Sequence, residues 1–481
     1  MPAYVFEKNR IMKKFTVVLL TAAVAVPMMA QEMVVDADTT AQATPLVLTL
    51  EDALKIALSE NVSVKVADQE VKRSEYAKKG TYAALYPQID GSASYQRTIK
   101  KQVMYMDFDI PGMSGGDIPG AAATGQEGAM SEGIEVGRWN TWTTGITASM
   151  PLVNAQLWKS LKISGQDVEL SVEKARGSRL QTVTEVKQAF YTVLLAKESL
   201  AVFKEVYDNA VTNFKQTEMR YNAQKASELD YTRSKSLVAS AIPNVYDSES
   251  NVFIALWQLK AVLGLDLETD IDVSGSLTDL ADNMQYDLRG QDTLSLDSNS
   301  TMRQIAIQAE QLANTIKLQK AAYIPSLAVA FTYNVNAMTN DFNFSEYKWS
   351  PYSYVGISLA IPIFSGGKRL NNVRQTQVQY TELKLQEMNT ERQLKIAIRQ
   401  YLNQMETAMK SFDAASEAVV TADKAYSIAS KSYNVGRSTL TDLNDAQLAL
   451  TQAELNVCQT IYSFVVAKAG LEEVLGADFI D

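Results

Sequence analysis

Residues 352–364 read YSYVGISLAIPIF, and no proline follows Pro362. The alternation of aromatic or aliphatic side chains with small ones marks a strand whose two faces differ. Beyond it the period changes. Ile398, Leu402, Met405, Met409, Phe412, Ala415, Val419, Ala422, Tyr426, Ala429 and Tyr433 recur every three or four residues. That spacing averages about 3.5, the coiled-coil period. A strand of about ten residues therefore feeds a helix far longer than a globular domain is wide.

The same pattern occurs earlier in the chain. Gly145 to Pro151 (GITASMP) matches Gly356 to Pro362 (GISLAIP), and Ala84 to Ile89 (ALYPQI) matches Ala322 to Leu327 (AYIPSL). Val186-Lys187-Gln188 matches Ile398-Arg399-Gln400, Tyr221 to Asp230 matches Tyr433 to Asp442, and Leu263-Gly264 matches Leu475-Gly476. Four of these five matches lie 211 or 212 residues apart, and the Ala84 match, ahead of an insertion, lies 238 apart, which indicates an internal repeat. Repeat 1 spans 31–264, with strands about 88–100 and 139–153 and helices 50–84, 154–222 and 227–264. Repeat 2 spans 301–481, with strands about 326–337 and 352–364 and helices 301–323, 367–434 and 439–475. An acidic segment, 265–300, separates them. Repeat 1 carries an insertion in the Gly- and Met-rich stretch 110–137, inside a long loop over 101–138. Pro243 interrupts the returning helix of repeat 1, where a kink or restart is expected.

Composition removes most chemistry. The 481 residues include no histidine and one cysteine, Cys458, so hydrolase triads, cysteine clusters and disulfides have no material. No cofactor, metal or catalytic residue is expected, and Cys458 reads as a small buried filler. A formal charge of −10 gives nucleic acid no footprint. At the N-terminus, Lys13-Lys14 precedes an apolar run from Phe15 to Val26 that is too short to span a bilayer. This is an export signal over 1–30, with the start at Met12.

Aromatic residues collect near the strand ends: Tyr95, Trp139, Trp142, Tyr333, Trp349, Tyr352 and Tyr354. They fit the interfacial girdle of a transmembrane sheet; a soluble hairpin core is the competing reading. Four strands cannot close a barrel, and an open sheet in lipid leaves edge amides unpaired. Other copies of the chain must therefore complete it. Two copies give eight strands with a filled interior, and three give twelve with an aqueous lumen. A periplasmic coiled-coil rod with no transport role is the alternative from a different class.

Leu50-Glu51-Asp52-Ala53-Leu54, Tyr86-Pro87-Gln88-Ile89, Leu359 to Gly367 (LAIPIFSGG), and Tyr433-Asn434-Val435-Gly436 followed by Leu440 to Ala446 (LTDLNDA) carry a resemblance. With the doubled layout they cover nearly the whole mature chain, which resembles TolC-like outer-membrane efflux channels, the outer-membrane factors of tripartite pumps. The resemblance implies an α+β membrane protein. It would be a homotrimer whose twelve-stranded outer-membrane barrel continues into a long α-helical periplasmic tunnel, with a small mixed region at the tunnel's waist. It also implies the outer membrane of a Gram-negative bacterium, contact with outer-membrane lipid, a periplasmic adaptor, and indirect coupling to an inner-membrane transporter. The implied function is a passive exit duct for efflux or type I secretion, not an enzyme.

The helix turns far from the strands hold the candidate site. Ser227 with Asp230, and Thr439 with Asp442, read as helix-start caps. By resemblance, Asp442 and Asp445 ring a periplasmic gate. By the same resemblance Val435, Gly436, Arg437, Gln224 and Lys225 form the adaptor-docking tips. Repeat 1 places Ala223-Gln224 where repeat 2 has Val435-Gly436, so its turn is expected to lack the glycine cap.

Overall fold

The computed structural model describes residues 46–104, 134–284 and 295–477. The export signal over 1–30, the middle of the 101–138 loop and the extreme C-terminus lie outside the described residues.

From the N-terminal side the elements run β1 (Leu46–Leu48), α1 (Leu50–Glu60), α2 (Val62–Ala83), β2 (Gln88–Arg97), β3 (Gln102–Met104), β4 (Ile134–Val136), β5 (Asn140–Val153) and α3 (Ala155–Asn222). They continue with α4 (Glu228–Leu263), β6 (Ile271–Val273), a 3-10 turn (Thr278–Met284), α5 (Ser300–Ala321), β7 (Ser326–Thr339), β8 (Ser350–Ala360), α6 (Lys368–Asn434) and α7 (Leu440–Leu475). At 68 residues α3 is roughly 100 Å long. Asn154 starts it by accepting the Leu157 N–H at 3.0 Å.

The main sheet is antiparallel in the order β2-β5-β7-β8. Its register sorts the side chains. Ile89, Ala93, Tyr95, Trp142, Ile146, Met150, Val329, Phe331, Tyr333, Val355, Ile357 and Leu359 share one face, because directly opposed residues point the same way. The other face carries Asp90, Ser92, Ser94, Thr143, Thr147, Ser149, Thr332, Asn334, Asn336 and Ser358. The sheet is thus apolar on one side and polar on the other, and Ile357 on the apolar side is 70% exposed in the single chain.

This register corrects part of the expected aromatic girdle. Tyr95, Trp142 and Tyr333 lie on the apolar face, while Trp139 and Trp349 each sit one residue outside a strand. Tyr352 and Tyr354 fall on the polar face, where the Tyr352 hydroxyl accepts from Asn334 Nδ2 at 3.0 Å. Aromatic content alone does not reveal strand parity, and a one-residue difference reverses the face.

The helices form a layer one helix thick. Near the sheet the neighbours run α2, α3, α5, α6; toward the far tips they run α4, α3, α7, α6. One lateral edge is therefore α2 and α4, the other α6, and β2 and β8 are the matching edges of the sheet. The core lies at the waist. There Val186, Phe190 and Val193 of α3, Leu259 and Leu263 of α4, Met405 of α6 and Ile461 and Phe464 of α7 bury together with the parallel pair β1/β6. The predicted 3.5-residue stripe supplies Ile398, Leu402, Met405, Met409 and Phe412 to this core. Cys458 is buried in it, and burial, with the Glu198 and Glu454 carboxylates adding to it, pushes its thiol up to about 11.

Two joints lock the waist. The helix expected over 50–84 is in fact two, broken at Asn61. Asn61 Oδ1 accepts the Ser63 N–H at 2.7 Å, and its Nδ2 donates to the Val262 carbonyl at 2.7 Å. Asn299 repeats this: its Oδ1 accepts the Met302 N–H at 2.9 Å and its Nδ2 donates to the Val474 carbonyl at 2.7 Å. Each asparagine thereby caps one helix and satisfies the end of another. Beside them Gly264 and Gly476 take φ of 75° and 67°, and a Cβ there would come within 2.6 Å of the Glu60 carbonyl oxygen and 2.1 Å of the Ser298 carbonyl oxygen. At Pro243 the expected restart does not occur. Helix α4 runs through it, since neighbouring turns keep their bonds when one donor is lost.

Candidate functional site

The α3–α4 and α6–α7 turns lie at the end of the helices remote from the sheet. Tip 2 closes as helix C-caps commonly do. Gly436 has φ 75°, its N–H donates to the Tyr433 carbonyl at 3.0 Å, and the Arg437 N–H donates to Ser432 at 2.9 Å. Tip 1 forms the same turn without glycine. Gln224 has φ 51°, its N–H donates to Tyr221 at 2.8 Å, and the Lys225 N–H donates to Arg220 at 2.7 Å. The first turn lacks a glycine, as expected, yet it takes the same left-handed form, and Gln224 bears the steric cost. Val435, Gly436, Arg437, Gln224 and Lys225 are all exposed.

Both returning helices start with the expected caps. Ser227 Oγ accepts the Asp230 N–H at 3.0 Å and donates to Asp230 Oδ2 at 2.8 Å. Thr439 and Asp442 form a full capping box. Asp442 Oδ2 accepts from the Thr439 N–H at 3.0 Å, from Thr439 Oγ1 at 2.8 Å and from Ser438 Oγ at 3.1 Å. The Thr439 bonds first, then Ser438, hold the Asp442 carboxyl below the usual aspartate value. Asp445 is different. It is exposed, has no hydrogen-bond partner among the described residues, and lines a cavity of about 300 Å³ between α3, α4 and α7, with Phe203, Leu237 and Leu440. The two aspartates are close in sequence, but only Asp442 is tied into the helix cap.

A clasp that the sequence did not disclose ties the two hairpins together. Arg220 Nη1 donates to the Tyr433 carbonyl at 2.6 Å, and its guanidinium sits 5.1 Å from the Tyr433 ring centroid. Thr217 Oγ1 and the Tyr433 hydroxyl are hydrogen-bonded at 2.7 Å. Tyr433 is buried with Leu440 and Leu443. In sequence Arg220 reads only as a cation in the last turn of a helix; its partner lies on the other hairpin. Further up the helical layer, burial and then the Glu205 and Asp423 carboxylates raise the Glu454 carboxyl above its usual value. Among the described residues no group of three or more Asp, Glu or Cys side chains is placed to hold a metal ion.

A family profile described as outer membrane efflux protein matches residues 53–265 and 293–477, nearly all of the described chain. The chain belongs to the outer membrane efflux protein family. The unmatched residues between those stretches include β6 and the 3-10 turn at the waist. This family member is 19% identical over 342 residues to outer membrane protein TolC of Vibrio cholerae, a match covering 69% of this chain and 76% of that protein. The CmeC outer membrane channel of Campylobacter jejuni superposes with a TM-score of 0.65 at 17% identity, covering 89% of this chain and 85% of that one. The outer membrane protein VceC of Vibrio cholerae gives 0.66 at 14% identity, covering 89% and 96%. The fold is that of these outer-membrane channels, and the efflux family member resides in the outer membrane.

Proposed function

We propose that three copies of this chain form the exit duct of a tripartite efflux system, closed at rest by the helix tips. The observation that carries the trimer is the pair of unfinished edges on one protomer. The outer sides of β2 and β8 have no strand beside them among the described residues. On the same lateral edges α4 exposes Tyr246, Phe253 and Trp257, and α6 exposes Val378, Leu385 and Ile396. A head-to-tail contact of one edge with the other closes a ring. With four strands per copy, three copies make a twelve-stranded barrel with room for water. The apolar face then meets lipid, the polar face lines the lumen, and Tyr352 and Tyr354 become lumen residues. The matched halves, with their twin joints, favour an internal duplication.

The duct carries no energy source. An inner-membrane pump drives export through a periplasmic adaptor that docks on the exposed tips, with Val435, Gly436 and Arg437 on one hairpin and Gln224 and Lys225 on the other. At the gate, Asp442 holds its helix start and Asp445 from each copy supplies the constricting carboxylates. The Arg220–Tyr433 clasp keeps each protomer's hairpins in the closed arrangement, and adaptor contact shifts the population toward opening. The same duct would serve type I secretion if its adaptor were of that kind.

Planar-bilayer recording tests this reading. The wild-type protein should show small, rare channel openings, and Arg220→Ala with Asp445→Ala should raise the conductance several-fold. A protein that inserts and gives no discrete current steps would overturn the duct; unchanged conductance in the double variant would overturn the gate alone.

A further inference from the structure

The cavity of about 300 Å³ near the tips spans both hairpins, since α3 and α4 belong to the first and α7 to the second. Small-molecule sites run from roughly 300 to 1,000 Å³, so it can hold a small ligand. Its walls are of three kinds. Phe203 on α3, Leu237 on α4, and Leu440 and Leu448 on α7 are apolar. Ser234, Ser240 and Thr451 supply hydroxyls, and each directs its proton into its own helix. Ser234 Oγ donates to the Tyr231 carbonyl at 2.9 Å, Ser240 Oγ to Leu237 at 3.0 Å, and Thr451 Oγ1 to Gln447 at 2.9 Å. Their remaining lone pairs can only accept. Asp445 is the third kind, a carboxylate with no hydrogen-bond partner among the described residues.

Charge decides the occupant. No lysine or arginine is among the described lining residues, so nothing in the cavity answers Asp445. The neutral amides of Asn244, Asn444 and Gln447 can turn either end toward a ligand and do not set its charge. Repeat 1 carries Arg233 at the position matched to Asp445, so the duplication does not supply this carboxylate twice. A bare metal ion is not held, because no group of three or more Asp, Glu or Cys side chains among the described residues is placed for one. An unpaired carboxylate beside apolar side chains and accepting hydroxyls calls for the complementary set: a cation, N–H donors and an apolar body.

We propose that this cavity binds a small protonated amine with an apolar body, its ammonium on Asp445 and its body against Phe203, Leu237, Leu440 and Leu448. The ligand touches both hairpins, so it binds best to the arrangement in which they enclose it, and moving α7 away from α3 and α4 loses those contacts. Resting on the reading of the tips as a gate, the amine therefore shifts the population toward the closed state. It acts in the same sense by neutralising Asp445, whose carboxylates repel one another when three copies meet at the constriction.

The test uses the full-length protein in mild detergent and 4-(4-fluorophenyl)butylamine, followed by fluorine NMR line broadening against a micelle blank. Wild type should bind the amine roughly ten-fold more tightly than Asp445→Asn, the loss expected for one hydrogen bond to a charged group. Asp445→Glu should keep most of the affinity, which separates charge from misfolding, and Leu237→Gln should weaken binding by removing apolar wall. The matching alcohol should bind about ten-fold less tightly than the amine, by the same loss. Equal binding of the alcohol, or equal binding by Asp445→Asn, would overturn the site. So would displacement by ethylammonium at the amine's own concentration, because a bare charge pair needs no apolar wall. In planar bilayers the amine, and not the alcohol, should lower the open probability of the wild-type channel. If wild type gives no current steps, the duct reading falls while the NMR result decides the site; if channels open and the bound amine does not close them, only the hold on the hairpins falls.

Discussion

The waist joints and the helix tips both occur twice along the chain, and the two copies have been kept alike to different degrees. At the waist the second joint copies the first atom for atom: asparagine cap, reach to a valine carbonyl, left-handed glycine against a carbonyl oxygen. At the tips the backbone is copied and the side chains are not. Gly436 is replaced by Gln224, and the buried Tyr433 is matched by Tyr221, which stacks on Tyr231 at 5.0 Å. The difference follows from what each region must satisfy. A waist joint buries backbone groups whose partners are fixed by geometry, so few residues fit. A tip is exposed, and its residues answer to whatever meets them from outside.

That contrast can be broken in order of expected effect. Gly476→Ala places a methyl against the Ser298 carbonyl at a positive φ, and should cost about 3 kcal/mol in thermal or denaturant unfolding. A tolerated alanine would mean the joint is looser than its geometry indicates. Asn299→Ala and Asn61→Ala should each cost about 2 kcal/mol, because a cap is lost and a buried carbonyl is left unpaired. Matching losses at the two sites would sharpen the view that the joints are equivalent; a loss at only one would break it. At the tips the effects shrink and change sign. Gln224→Gly should stabilise by about 1 kcal/mol and Gly436→Gln should destabilise by a similar amount, measured by protection of the turns from proteolysis. If Gln224→Gly destabilises, the glutamine side chain has a structural role that the turn does not show.

The smallest effect concerns charge. The Glu454 carboxyl is raised by burial, with Glu205 and Asp423 adding to it, so its ionised form is disfavoured in the fold. Its contribution to stability grows as pH falls through the raised value and is lost as pH rises. Glu454→Gln should raise the thermal midpoint slightly at about pH 8 and leave it unchanged near pH 4. A shift of equal size at both would place the cause in packing instead.

The sequence made the strands and long helices legible because each has its own period and each is written twice. β7 was expected over 326–337 and runs Ser326–Thr339; α6 was expected over 367–434 and runs Lys368–Asn434. What stayed hidden depended on contacts across the fold. Asn61 sat inside a helical pattern and gave no break signal, although Asn299 at the matched position, ahead of its own helix, was a clue. That Gln224 takes the left-handed place of the missing glycine is set by the hydrogen bonds of the turn, which residue preference does not show. Tyr352 and Tyr354 joined the wrong face because composition was read without parity. Arg220 could not be read at all, since its partner is on the other hairpin.

The most direct measurement of the central claim is cross-linking between the sheet edges. Cysteines placed at Ser92 on β2 and Ser350 on β8, both on the polar face, in a Cys458→Ser background, would be joined by a flexible bismaleimide in the outer membrane. The account predicts a covalent ladder that ends at three chains, because the β2 edge of one copy meets the β8 edge of the next and the ring then closes. A ladder that stops at two chains, runs past three, or never forms would contradict it.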